Sequence, residues 1–129
     1  MPRLKLETLG AGDQSWLGST HGIANARTES VNLSAFTAGT HYPNGYIPSG
    51  FPVAKVSGLL VPYDPTAGTT TGAGILAGHV LTDQSVVGTG NFPVPVLDHG
   101  RVKTAKVTPL LANFTAPSTA KNATTIVYI

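Results

Sequence analysis

Apolar residues in this chain recur at every second position or in short unbroken runs, and never at the spacing of a long amphipathic helix. Ser30-Val-Asn-Leu-Ser-Ala-Phe36 sets Val31, Leu33 and Ala35 against Ser30, Asn32 and Ser34, the period of a half-buried strand. Pro52–Val56 and Gly58–Asp64 predict two strands joined at Ser57-Gly58, a short hairpin signal. Gly74 to Leu81 is a continuous apolar run of the buried-strand kind, and Gly78 within it allows a bulge or a close neighbour. Pro93-Val-Pro-Val-Leu-Asp98 lacks two ladder donors, which places it at a sheet edge or a kink. Arg101 to Val107 reads as a mixed strand with Arg101 and Lys103 on one face and Val102, Thr104 and Lys106 on the other; such charges keep an edge strand from illicit pairing. Thr124–Ile129 is β-prone and is expected to be tied into a sheet, while Ala116–Lys121 allows one helical turn and no helix exceeds two turns. The pattern predicts a mainly β body with little helix.

Between these segments lie turn residues. His41–Gly50 stacks Asn44-Gly45, two prolines and Ser49-Gly50, so it predicts a folded loop held to the body by Tyr42 and Tyr46. Asp64-Pro65 opens a turn, and Thr66–Gly72 and Val86–Gly90 are loops. Ahead of the body, Leu4, Leu6 and Leu9 form a short alternating stretch, followed by the breaker Gly10-Ala-Gly-Asp13 and an isolated Trp16-Leu17 pair. These features predict an extended N-terminal arm over residues 1–30, with one short strand at Leu4–Leu9, and a single β-rich domain over residues 31–129. Trp16, the one tryptophan, reads as an anchor in an interface, with a staple back onto the body as the other reading.

A chain of 129 residues fits one hydrophobic core. Only 11% of it is charged, and the formal net charge is +2, so binding nucleic acid by neutralising phosphates is not expected. The absence of cysteine excludes disulfides, thiolate catalysis and thiolate metal sites. The first residues lack a signal-peptide pattern and no apolar run approaches the roughly eighteen residues of a membrane span, so a soluble protein without a membrane partner is expected.

The inventory for acid-base chemistry is small: His21, His41, His79 and His99, the aspartates Asp13, Asp64, Asp83 and Asp98, and Glu7 and Glu29. No two histidines stand at metal-ligand spacing, and no Gly-x-Ser-x-Gly elbow supplies a nucleophile. Asp98 and His99 are adjacent, and neighbours on a strand point to opposite faces, so they read as loop residues beside Gly100; a small hydrolase using the two is the remote alternative. Gly72-Ala-Gly-Ile-Leu-Ala-Gly78 misses a dinucleotide fingerprint by one residue and lacks the strand–helix context, so it reads as close β packing. No catalytic residue, metal or cofactor is expected.

Tyr46-Ile-Pro-Ser-Gly50, Leu60-Val-Pro-Tyr-Asp-Pro65, Gly74-Ile-Leu76 and Val96-Leu-Asp-His-Gly-Arg-Val-Lys103 resemble, in this order and spacing, segments of the head decoration (capsid cement) proteins of tailed bacteriophages. Asp13-Gln-Ser-Trp-Leu-Gly-Ser-Thr-His-Gly22 is similar to the arm of the subset from phages of actinobacteria. Each motif is turn and strand punctuation; their combined order, over residues 13–107, carries the resemblance. The resemblance implies a compact body of the β-clip or β-tulip kind and a homotrimer at three-fold positions on the outer surface of the head. It also implies that the arm binds the major capsid protein and that the chain is made in the host cytoplasm. The arm candidates are then Leu4, Leu6, Leu9, Trp16 and Leu17, and the structural-loop candidates Tyr46, Pro48, Gly50, Tyr63, Asp64 and Pro65. Strand addition would use main-chain hydrogen bonds for affinity, and three linked arms would multiply modest contacts. A carbohydrate- or host-surface-binding module using Tyr42, Tyr46 and Tyr63 is the alternative of a different class.

Overall fold

The computed structural model describes residues 14–18, 26–67, 72–86, 88, 90–111, 114–118 and 121–129. Its strands are β1 (Arg27–Val31), β2 (Tyr46–Ile47), β3 (Pro52–Val56), β4 (Leu59–Pro62), β5 (Leu76–Val80), β6 (Gln84–Ser85), β7 (Phe92–Leu97), β8 (His99–Val102) and β9 (Thr125–Tyr128). Two single-turn helices, α1 (Ala38–His41) and α2 (Thr104–Val107), follow β1 and β8. The body is mainly β, as the pattern predicts.

Strands β1, β4, β3, β5 and β7 bond in that order, and β7 returns to β1 to close a five-stranded barrel. The β1–β4 pair is parallel and the other barrel pairs are antiparallel. Outside the barrel, β2 pairs with β6 and β8 runs parallel to β9. The predicted hairpin closes through Ser57 (φ 53°) and Gly58 (φ 82°), the two positive angles a two-residue turn of matching twist requires. Gly78 sits at the predicted bulge: the β3–β5 register shifts there, and a Cβ on Gly78 would lie 2.5 Å from Val96 and 2.7 Å from the Leu97 carbonyl.

Adjacent residues on a strand face opposite ways, and in β3, β4 and β5 both faces are largely buried. Val31, Val53, Leu60, Val80, Val94 and Val96, drawn from all five barrel strands, meet in one cluster with Phe51 and Ile47. Ala54, Val61 and Leu97, each next to one of these, form a second cluster with Leu76, Trp16, Tyr63, Val102, Val107, Phe114 and Ile126. The second cluster binds the small sheet to the barrel wall, and this double burial explains the unbroken apolar runs.

Three predicted elements differ in extent. The strand expected over 30–36 begins earlier, at Arg27, and ends at Val31; Asn32 makes a last bond to Leu60, and Leu33–Ala35 turn as a 3-10 helix that sends Leu33 and Phe36 to the same cluster. The strand expected over 101–107 stops at Val102, and α2 replaces its second half, bringing Val107 into the core beside Val102. His41–Gly50 is not all loop, since His41 closes α1 and Tyr46–Ile47 form β2.

The proline strand lies inside the barrel, paired on both sides, where an edge or kink was expected. Val94 and Val96 stand opposite Glu29 and Arg27 of β1, while Pro95 presents its carbonyl to the other side, where it accepts from the Leu81 N–H at 3.0 Å. The prolines therefore occupy positions whose nitrogens face away from β1, and β5 overlaps only the end of β7. The boundary drawn at residue 31 also moves, because β1 already belongs to the barrel from Arg27 and residues 14–18 pack on the body. The strand expected at Leu4–Leu9 lies outside the described residues.

Candidate functional site

The places where chain segments distant in sequence converge begin at His79. Val80 turns into the barrel, so alternation sends His79 to the outer face of β5, where it is fully buried. Trp16 stacks on it with ring centroids 5.6 Å apart and planes 26° from parallel. Phe114 meets the imidazole edge-on at 5.8 Å, and Tyr128 packs at the same distance. The Gly50 carbonyl can only accept, so the proton sits on Nδ1, which donates to it at 2.9 Å; Nε2 then accepts from the Tyr128 hydroxyl at 2.8 Å. Burial lowers the His79 pKa to about 4, against the smaller opposing effect of the Gly50 bond, so the ring is neutral. Burial, with Tyr63 nearby, pushes the Tyr128 phenol well above its usual range.

Trp16 is 1% exposed, and its indole N–H donates to Ser49 Oγ at 2.9 Å. Gly50 makes the stack fit: its φ of 91° favours glycine, and a Cβ there would lie 2.6 Å from the indole ring. Ser49 Oγ in turn donates to the Leu81 carbonyl at 2.8 Å, and the Gln14 amide donates to the same carbonyl at 2.9 Å. That carbonyl is open for a reason. Leu81 stands opposite Pro95, which takes its N–H bond but has none to return. A missing ladder donor thus leaves an acceptor for the segment that carries Trp16.

The same segment also pairs with β8. Lys103 N–H donates to the Trp16 carbonyl at 2.7 Å, Gly18 N–H donates to the Arg101 carbonyl at 2.8 Å, and Leu17 bridges Val102 antiparallel. Trp16 is therefore a staple onto the body here and no exposed anchor, and Leu17 is half-buried beside it. Leu4, Leu6 and Leu9 lie outside the described residues.

The loop candidates take structural positions. Tyr46 and Pro48 are half-buried on either side of buried Ile47. Tyr63 is 2% exposed against Phe114, so it offers no open ring to a sugar, and burial with the adjacent Asp64 charge raises its phenol pKa. Asp64 Oδ1 accepts from the Thr66 N–H at 2.9 Å and the Thr66 hydroxyl at 2.6 Å, bonds that lower its pKa and close the turn. The Pro65 carbonyl accepts from Lys121 Nζ at 3.0 Å.

Beside this turn runs an open groove of about 560 Å³ lined by His41, Val61, Tyr63, Asp64, Thr66 and Leu111, among others. His41 Nδ1 accepts from the Thr37 N–H at 2.8 Å, and burial lowers its pKa. Asp98 and His99 are not brought together as a relay: Asp98 pairs with Arg27 at 3.0 Å, and His99 Nδ1 meets Thr125 Oγ1 at 2.7 Å. Among the described residues no three His, Asp or Glu side chains gather as a metal site, and no helix is long and apolar enough to cross a membrane.

His79, Ser49 and Tyr128 are the residues sequence reasoning missed. A lone histidine in an apolar run was their one local signal, since their partners lie 29 to 49 positions away. Comparisons with protein-family models, curated proteins and solved structures found no match.

Proposed function

We propose that this chain is a structural protein of a bacteriophage head, which binds the outer surface of the shell as a homotrimer and stabilises it. The observation that carries the reading is the ordered set of segments resembling head decoration proteins, Tyr46–Gly50, Leu60–Pro65, Gly74–Leu76 and Val96–Lys103. Their positions support it. Tyr63, Leu76, Leu97 and Val102, drawn from three of those segments, share one buried cluster with Trp16, and Ser49 and Gly50 of the fourth hold its indole. Motifs scattered over fifty-eight positions of sequence thus form one physical unit, which is what selection for a common fold would act on.

In this reading the body is a rigid block and residues 1–13 are the arm that engages the shell, because residues 14–18 are already committed to the body. The test is sedimentation of the purified chain with expanded heads of a related phage, with light scattering for its mass. Co-sedimentation of a trimer, lost when residues 1–13 are removed, is the expected result. A wild-type chain that stays in the supernatant overturns the reading. Binding unaffected by the truncation overturns the arm's part in it.

A further inference from the structure

Arg101 and Lys103 look in sequence like charges guarding an edge strand, but β8 has no edge to guard. Residues 16–18 pair along one side of it and β9 along the other. Among the described residues the strand at the edge is β9, Thr125-Ile-Val-Tyr128, and it carries no charge. Two questions follow: what the cations are for, and why an apolar edge strand is left open.

Both sets of side chains lie on one face. Val102, Ile126 and half-buried Tyr128 turn toward the barrel, so Arg101, Lys103, Val127 and Ile129 turn to solvent. Val127 is 55% and Ile129 57% exposed, the large hydrophobic side chains most open to water among the described residues. Ile129 and Arg101 lie over Gly18, where a Cβ would come within 2.9 Å of each. Among the described residues neither Arg101 nor Lys103 forms an ion pair. The four described acids are engaged elsewhere: Glu29 with Lys55 at 2.9 Å, Asp98 with Arg27, Asp64 with Thr66, and Asp83 with the Ser49 N–H at 2.7 Å. The face therefore sets a basic strip on β8 beside an apolar edge strand, and no described acidic side chain pairs with it.

We propose that this face, Arg101, Lys103, Val127 and Ile129, is a docking surface for a protein surface that sets acidic side chains beside an apolar patch. Resting on the head-coating reading above, that partner is the shell, and the β8–β9 face is the part of the body that lies against it. Charge complementarity selects the partner. The basic strip steers an acidic surface and penalises a basic one, while the apolar edge strand supplies the area removed from water.

The test uses the full chain and expanded heads at two salt concentrations, with Arg101→Glu/Lys103→Glu and Val127→Asp/Ile129→Asp variants. Exposed Asn44→Asp and Ser85→Asp on other elements serve as controls. Unchanged tryptophan fluorescence and melting show that each variant is folded. The expected result is wild-type binding that weakens with salt, a loss of about tenfold or more in affinity for each double variant, and a flatter salt dependence for the charge reversal. If wild-type chain binds heads and both double variants bind equally well, the docking face is wrong and the head-coating reading stands. If the wild type does not bind heads, both fail together.

Discussion

The small sheet made by residues 16–18, β8 and β9 has one backbone and two unlike faces. Toward the barrel, Val102, Ile126 and Tyr128 meet Trp16, His79 and Phe114, and every polar atom of the His79 ring and the indole has a partner. Toward solvent stand Arg101, Lys103, Val127 and Ile129, whose charges and apolar surface have no counterpart on the described chain. Alternation along a strand makes the division. One face can be spent on folding while its neighbour, one residue away, is left for a partner. Substitutions on the two faces should therefore separate stability from binding.

The largest effect is expected from removing residues 1–30. That cut takes away Trp16 and most of β1, so it unfolds the body, where the sequence pattern anticipated a folded remainder; loss of the cooperative melting transition is the measurement. Removing only 1–13 should leave that transition intact. Trp16→Ala comes next, at about 3–5 kcal/mol, because it empties a site on the buried imidazole and strands Ser49; urea denaturation gives the number. Gly50→Ala should cost about 3 kcal/mol by combining positive φ with a methyl group inside the indole ring's contact distance. If Gly50→Ala is tolerated, the Trp16 stack is not what holds the inner face.

Acid sharpens the same comparison. His79 has a folded pKa of about 4 against an ordinary value of 6.5, so the unfolded chain takes up a proton that the folded chain refuses. Stability then falls as pH drops from 6.5 toward 4, by roughly 3 kcal/mol in all, and this contribution levels off below. Denaturation midpoints across that window, and an imidazole NMR signal for His79 that does not titrate above pH 5, check it. Tyr128→Phe leaves Nε2 without its donor and should cost about 1–2 kcal/mol. Smallest of all, Val127→Asp and Arg101→Glu should change stability by about 0.5 kcal/mol or less, since both side chains are already in water. A large stability loss there would erase the contrast between the faces.

Features that depend on near neighbours are legible in the amino-acid order alone. Ser57-Gly58 makes its hairpin, Gly78 its bulge, and Asp64-Pro65-Thr66 its turn, because each rests on local φ or a hydrogen bond two residues away. The β-prone Thr124–Ile129 joins a sheet as its composition predicts. Tertiary structure decided what depends on a partner far along the chain. Alternation in Ser30–Phe36 fits a strand, yet β4 supplies partners only as far as Asn32, and the remainder turns. Two prolines argue against placing Pro93–Leu97 in a sheet interior, and they are accepted because their nitrogens face a side that β5 covers only at its end. Pro95 then leaves the Leu81 carbonyl to Ser49 and Gln14, and that open acceptor helps turn Trp16 from a free anchor into a buried staple. A residue's own conformational preference is written in its type, whereas the use of a hydrogen-bond acceptor depends on which distant donor the fold brings within 3 Å.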